Sequence, residues 1–179
     1  KSDAVSRVKR WARKKLLAPQ KFRKGASPEN VSGMYMPAFS FDTSTDAVYS
    51  GVLGIYRTRT RRVNGKTVQE RYLDTFPIRG TYSAFFDDIL IQASDKIGQK
   101  SLNALQPFDT NQSMEYRSEY LSGYTAEQYA KDGLACWEDA KQVIRGKLQD
   151  AILAGYRHDT VVSFNVEFQC RNTTYKYLL

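Results

Sequence analysis

Alternating hydrophobic and polar positions mark three stretches of the chain, residues 31–49, 52–76 and 160–179, as β-strands. Asp42–Asp46, with the sequence DTSTD, is rich in turn-forming residues and predicts a break near the end of the first stretch. Asn172-Thr173 is expected to turn the chain inside the third stretch and to start a last short strand. The pattern therefore predicts an antiparallel sheet whose strands are interrupted by turns.

The clearest local signal is Asn64-Gly65, which lies between two alternating runs. Both residues of such a turn need positive φ, which Asn and Gly tolerate best, so this dipeptide predicts a two-residue hairpin loop. Counting back from the loop places Arg57, Arg59 and Arg61 on one face of the hairpin. The same count pairs Val63 with Lys66, Arg61 with Val68, Arg59 with Glu70 and Arg57 with Tyr72.

Two helices are predicted after the hairpin. A short one is expected within Thr81–Ile97, with Asp87-Asp88 in its first turn, where acidic residues complement the helix dipole. A long one is expected to begin at a capping box formed by Thr125 and Gln128 and to end at Gly155. Its length would be about 45 Å at 1.5 Å per residue.

The charge of the chain is concentrated at its N-terminus. The first 25 residues hold ten Lys or Arg against one acid, Asp3, which leaves 17 basic and 18 acidic residues in the rest of the chain. Ser2–Leu17 is predicted to form a basic amphipathic helix, because Val5, Val8, Ala12 and Leu16 recur every three or four positions. Net charge bears on binding partners rather than on fold, so this segment is the candidate for contacting an acidic partner.

These elements predict an α+β fold, in which an antiparallel sheet is covered on one face by the long helix and a basic helix stands at the N-terminus. Residues 1–30 would form the basic amphipathic helix with its linker, and residues 31–179 an α+β body domain.

Composition excludes several classes of protein. No apolar run approaches the roughly 20 residues that cross a bilayer, and residues 1–15 lack the apolar centre of a signal peptide, so a cytoplasmic protein without a transmembrane segment is expected. Cys136, Cys170 and the single histidine, His158, do not have the spacing of a tetrahedral zinc site. No metal site is therefore predicted.

Several blocks of the sequence resemble an uncharacterised bacterial family whose members are headed by a zinc ribbon of the transcription-factor-IIB type and are often labelled after the primosomal helicase. The resemblance covers nearly the whole chain, and the order of the blocks carries it. The blocks are Ala18-Pro19-Gln20-Lys21-Phe22, Gly33–Asp42, Phe85–Leu90 with Ala93-Ser94, Leu105–Asp109, Tyr120–Tyr124 with Ala126, Glu127 and Tyr129, and Tyr175–Leu179.

The resemblance implies the body domain of a longer protein. The family's Cys-rich ribbon precedes this region and is absent here, so zinc is expected only in that ribbon and no cofactor is expected in this chain. The family's closing stretch normally runs on into a Pro-Trp segment and a small strand hairpin, whereas this chain stops at Leu179. The resemblance implies no enzymatic activity, and the body has no GxxxxGK[ST] phosphate-binding loop to support the helicase label.

Nucleic acid is the leading candidate partner. Cations interleaved with Trp11 and Phe22 can follow a phosphate backbone and stack on a base, and the hairpin arginines can extend that surface. Alternatives are a solvated linker helix, a helix lying on anionic lipid, and hairpin arginines that pair across the strands with Glu70. The candidate residues are Arg7, Lys9, Arg10, Trp11, Arg13, Lys14, Lys15, Lys21, Phe22, Arg23, Lys24, Arg57, Arg59 and Arg61.

No catalytic site is predicted. Asp42, Asp87-Asp88 and Asp109 are the acidic residues that could bind Mg²⁺ or transfer protons, but nothing in their spacing places them together. His158 could activate a cysteine, yet both cysteines fall in patterns that bury them and favour a structural role.

Three hypotheses follow. The first is a non-catalytic binding module that engages nucleic acid through its basic N-terminal segment. The second is a protein–protein interaction or assembly scaffold that docks an acidic partner. The third is a small metal-dependent hydrolase, which requires the aspartates to come together around a lined cleft.

Overall fold

The computed structural model of the chain describes residues 2–14, 32–63, 65–96, 98–105 and 110–179. The helices are α1 (Ser2–Arg13), α2 (Gln99–Leu105) and α3 (Gly133–Ala154), with 3₁₀ turns at Thr110–Gln112 and Ser118–Leu121. The strands are β1 (Met34–Tyr35), β2 (Ala38–Val63), β3 (Lys66–Gln92), β4 (Thr125–Ala126) and β5 (Thr160–Leu178).

The main sheet is antiparallel and has three strands in the order β3-β2-β5, while β1 and β4 form a separate parallel pair. β2 pairs with β3 along its whole length, from Ala38 opposite Gln92 to Val63 opposite Lys66. β5 pairs with β2 only as far as Gly54. Residues 55–74 therefore extend beyond β5 as a two-stranded arm, which we call the ribbon.

The hairpin prediction is confirmed. The four pairs counted from the sequence are all present, from Val63 opposite Lys66 to Arg57 opposite Tyr72. Gly65 has φ +76°, the left-handed conformation that the turn needs. The turn residues alone are sufficient to predict the register of this hairpin, because both strands begin at the same two-residue loop.

The predicted break at Asp42–Asp46 is wrong, because these residues lie inside β2. Thr43 and Thr45 are buried, and their hydroxyls find partners across the sheet. The Thr45 hydroxyl donates to the carbonyl of Ala84 at 3.1 Å, and the Thr43 hydroxyl lies 2.9 Å from that of Thr173. Because these hydroxyls are satisfied inside the sheet, a turn-like composition continues as a strand.

The predicted short helix within Thr81–Ile97 is also wrong, because residues up to Gln92 belong to β3. Between the pairs Phe41–Ile89 and Thr43–Phe86 the register shifts by one, so Asp87 and Asp88 together face one residue of β2. This is a β-bulge, and Asp88 has φ 54°.

A second bulge replaces the predicted turn at Asn172-Thr173. The register between β2 and β5 shifts between Asp42 and Ser44, and Asn172 has φ 51°. β5 therefore runs as one strand through this point. Beyond it, the side chains of Tyr175 and Tyr177 are exposed.

The long helix is shorter than predicted and starts later. Thr125, the expected N-terminal cap, instead belongs to β4, which pairs in parallel with β1. α3 begins at Gly133, where the Asp132 carboxylate accepts a hydrogen bond from the Ala135 amide at 2.8 Å. Its end is predicted correctly, since Gly155 follows the last helical residue.

The predicted α+β fold, a sheet covered by a long helix, is wrong. About half of the described residues are in strands and far fewer are helical. A helix of 22 residues spans about 33 Å, whereas the 26 residues of β2 span about 85 Å, so α3 is too short to cover the sheet. The core is a local cluster in which Ile144 and Leu148 of α3 join Phe41, Ile89 and Val166 of the sheet.

None of the helices in the described ranges combines the length and the hydropathy that a bilayer span requires.

Candidate nucleic-acid interface

The predicted apolar side of α1 is buried only in part among the described residues, since Val8 is 40% exposed. Val5 is only 5% exposed, while Lys9, Arg10 and Lys14 lie at the surface. Together with Ser6, these three cations line a surface depression of about 490 Å³. A depression bordered by three cations and a hydroxyl suits an anionic group such as a phosphate.

The structure describes only part of the predicted N-terminal interface. Trp11 is 53% exposed, and Arg7 is exposed on the same helix. Arg13 ends α1. Lys15, Lys21, Phe22, Arg23 and Lys24, together with the end of the predicted helix at Leu17, lie outside the described residues.

At its base, the ribbon carries ion pairs between its strands. The Arg59 guanidinium contacts the Glu70 carboxylate at 2.9 Å, and that of Arg57 contacts Asp74 at 2.8 Å. The hydrogen bond from Arg59 holds the pKa of Glu70 below its ordinary value. Arg59 therefore pairs with Glu70 as the alternative interpretation predicts, whereas Arg57 pairs with Asp74, and both pairs leave less charge for an external partner.

Cation–π contacts further brace the ribbon. The Arg71 guanidinium lies 4.0 Å from the ring centre of Tyr56, and that of Arg59 lies 5.2 Å from the ring centre of Tyr72. Such contacts stabilise exposed side chains by about 0.5–1 kcal/mol each. Two aromatic rings and three arginines thus hold the base of the ribbon in a defined arrangement.

Cations that form no ion pair with a described residue collect at the far end of the ribbon, residues 60–69, which we call the tip. The tip contains Arg61, Arg62 and Lys66 and no acidic residue. All three side chains are exposed and none forms an ion pair with a described residue, while the charge of Arg61 adds to that of Arg59 in lowering the pKa of Glu70. Sequence reasoning selected only Arg61; Arg62 and Lys66 could have been found by counting charges on both sides of Asn64-Gly65.

The structure brings Asp42, Asp87 and Asp88 together, with carboxylate oxygens within 4.8 Å of one another. The two bulge residues face Asp42 across the β2–β3 pair, and this contact cannot be read from residue spacing. A change in the hydrophobic alternation of the strand could have revealed this contact. Phe86 and Ile89 both face the core but are three residues apart rather than two, which is the spacing of a bulge. Asp109 lies outside the described residues.

Most carboxylate oxygens of this cluster already accept hydrogen bonds. Asp88 accepts from the hydroxyls of Ser40 and Thr110, and Asp42 accepts from the Asp88 amide and, at 3.5 Å, from the Thr174 hydroxyl. Partial desolvation and the neighbouring charges of Asp88 and Asp42 raise the pKa of Asp87. These hydrogen bonds give the acidic cluster a structural role, which is to stabilise the bulge.

The cysteines do not form a nucleophilic pair with His158. Cys136 is fully buried, as predicted, and Cys170 is half-buried; burial raises the pKa of both thiols and so favours the less nucleophilic protonated form. Cys136 lies in the first turn of α3, whereas His158 follows its last residue, Ala154, which is about 27 Å from Cys136 along the helix axis. His158 instead contacts the carbonyl of Tyr156 through Nδ1 at 2.9 Å.

Comparison with known proteins shows a distant similarity. The chain is 24% identical over 187 aligned positions to the uncharacterized protein YdjG of Bacillus subtilis strain 168, an alignment that covers 99% of the chain. The alignment covers 52% of YdjG, so the chain spans about half the length of this relative. No protein-family model matches the chain. No solved structure matches it. The resemblance to the zinc-ribbon family therefore stays a prediction.

Proposed function

We propose that this protein is a non-catalytic binding module that engages nucleic acid through the basic side of α1. The observation that carries the proposal is the convergence of the exposed side chains of Lys9, Arg10 and Lys14 on one surface depression. Exposed cations grouped in this way can neutralise phosphates and release condensed counterions.

Binding through this surface should be electrostatic and largely independent of sequence. Lysine and arginine contacts to phosphates position a protein on nucleic acid but carry no sequence information. Each neutralised phosphate lowers the slope of log K against log salt by about 0.9 on a duplex, so three contacts give a slope near −3 from this helix alone.

The test compares the intact chain with a helix variant, Lys9→Gln, Arg10→Gln and Lys14→Gln, by fluorescence anisotropy on labelled DNA across a salt series. A matched control removes three exposed cations elsewhere, through Lys100→Gln, Lys147→Gln and Arg157→Gln. We expect the helix variant to bind at least tenfold more weakly at about 100 mM salt, with a slope shallower by about three, relative to the control.

The scaffold hypothesis makes the opposite prediction for competition. If α1 docks an acidic protein, polyglutamate should displace the chain from DNA at the same charge concentration as unlabelled DNA does. Equal affinity of the helix variant and the control for DNA would contradict the proposal.

A further inference from the structure

We infer that the ribbon is a second nucleic-acid contact, one that enters the major groove of duplex DNA with its tip. The inference rests on the proposed function for the class of partner, but it involves residues in a different part of the chain from α1. It also changes the prediction that Arg57, Arg59 and Arg61 contact nucleic acid together from one face of the hairpin.

The shape of the ribbon fits this role. Nine residues of each strand, from Ile55 to Val63 and from Lys66 to Asp74, extend past the last residue that β5 pairs with, Gly54. At about 3.4 Å per residue the ribbon projects roughly 30 Å from the three-stranded part of the sheet. The major groove of B-form DNA, about 12 Å wide, admits a two-stranded ribbon of this kind.

The distribution of charge selects the tip as the contacting part. Arg57 and Arg59 at the base are paired with Asp74 and Glu70. Arg61, Arg62 and Lys66 form no ion pair with a described residue, and residues 60–69 contain no acid. A ribbon that needed charge only for solubility would not need to concentrate the cations that lack an ion pair in ten residues at its far end.

The alternation of the strand distributes these cations over both faces of the ribbon. Arg61 and Arg62 are consecutive in β2, so their side chains leave opposite faces, and Lys66 lies opposite Val63 on the face of Arg61. A ribbon that enters a groove tip first presents one face to each wall, and each wall of a DNA groove is a line of phosphates. Cations on both faces therefore match a duplex groove better than a single strand, which offers one line of phosphates.

The base of the ribbon is braced for such a contact. The ion pairs of Arg57 and Arg59 and the stacking of Arg71 on Tyr56 join the two strands below the tip. An arm already ordered before binding loses less conformational entropy when it binds.

The experiment uses a tip variant of the intact chain, Arg61→Gln, Arg62→Gln and Lys66→Gln. Its matched control is the triple variant at Lys100, Lys147 and Arg157 described above. The probes are a DNA duplex of about 20 base pairs, one of its single strands, and an RNA duplex of the same sequence. A-form RNA has a deep, narrow major groove that side chains do not enter, so it separates groove contact from general attraction to phosphate.

We expect the tip variant to bind the DNA duplex at least tenfold more weakly than the control at about 100 mM salt. The slope of log K against log salt should be shallower by about three. The loss should be several-fold smaller on the single strand and on the RNA duplex. Equal affinity of the tip variant and the control for the DNA duplex overturns the inference. An equal loss on all three probes, or displacement by polyglutamate as effective as by duplex DNA, assigns the tip to general polyanion attraction and also overturns it.

The helix variant makes failure of this inference distinguishable from failure of the proposed function. If the helix variant binds like the control while the tip variant loses duplex affinity, the role of α1 is wrong and the ribbon contact stands. If the tip variant binds like the control while the helix variant weakens, the reverse holds. Urea unfolding of every variant checks that the substitutions, all at exposed positions, leave the fold intact.

Discussion

The carboxylate of Asp42 on β2 accepts a hydrogen bond at 2.9 Å from the backbone amide of Asp88 on β3. This bond closes the bulge in which two residues of β3 face one residue of β2. At the same level of the sheet, β5 carries its own bulge beside Thr43. The two bulges keep the same side of all three strands facing the core, because each shifts the alternation of its strand by one residue.

Asp88 should tolerate Asn far better than Ala. Its φ of 54° lies in the left-handed region, where Asn and Asp are enriched, and its side chain accepts from Ser40, which is buried. Asp88→Ala leaves that hydroxyl unsatisfied and adds backbone strain, so we expect a loss of about 3 kcal/mol in the free energy of unfolding. Asp88→Asn keeps one acceptor and should cost about 1 kcal/mol. Urea denaturation measures both, and equal costs would show that the side chain does not support the bulge.

Replacing Asp87 should stabilise the protein at neutral pH. Desolvation and the charges of Asp88 and Asp42 raise its pKa, so the folded state holds this proton more tightly than the unfolded state does. The ionised form therefore destabilises the fold above the raised pKa, and the penalty disappears as pH falls toward about 4. We expect Asp87→Asn to unfold at higher urea than the wild type at pH 7, with the difference shrinking in acid. Glu167→Gln, at an exposed position on β5, is the control and should show no such trend.

Glu127 should show the opposite pH dependence. Its side chain is 4% exposed and bound by Lys96 and, at 2.7 Å, by the Ser94 hydroxyl, which together lower its pKa. The stabilisation is present above the unfolded pKa of about 4.3 and is lost as pH falls through the lower folded value. Glu127→Gln should therefore lower the urea midpoint at pH 7 and approach the wild type in acid.

Lys96→Gln removes the ion pair of Glu127 but keeps its hydrogen bond from Ser94, so it measures the two interactions separately. Because the Lys96 side chain is 75% exposed, this variant should lower the midpoint less than Glu127→Gln does. A Glu127→Gln protein as stable as the wild type across the whole pH range would contradict the role of this buried carboxylate.

The local core should depend on α3. Ile144 is fully buried among sheet residues, whereas Leu134 on the same helix is 78% exposed. Truncating a buried Ile to Ala removes its contacts and leaves a cavity, so Ile144→Ala should cost about 2–5 kcal/mol. Leu134→Ala should change stability by about 0.5 kcal/mol or less. Thermal or urea unfolding of the pair tests the placement of this helix face.

Elements defined by neighbouring residues were predictable. The Asn64-Gly65 turn sets the register from Val63–Lys66 to Arg57–Tyr72 because each pair follows from the one before it. The end of α3 at Gly155 was predictable for the same reason, since a helix stop is a local signal. The start of α3 was not, because Thr125 and Asp132 are both good caps and the pairing of β4 with β1 decided between them.

The acidic cluster and the tip of the ribbon show two different limits of sequence reasoning. Asp42 and Asp88 are 46 positions apart, and only the pairing of β2 with β3 brings them into contact. The tip was visible in the sequence as a run of cations, but its separation from the paired arginines at the base depended on which side chains reach Glu70 and Asp74.

The position and register of the hairpin, the concentration of charge in the first 25 residues and the end of α3 all follow from the sequence alone, because turn chemistry, charge and helix stops act over a few residues. Pairing between distant segments is what makes Asp42–Asp46 continue as a strand, makes Asp87-Asp88 form a bulge and lets the ribbon extend past β5. Those outcomes depend on hydroxyls, carboxylates and strand lengths meeting across the sheet, where the free energy of satisfying a buried polar group outweighs local propensity.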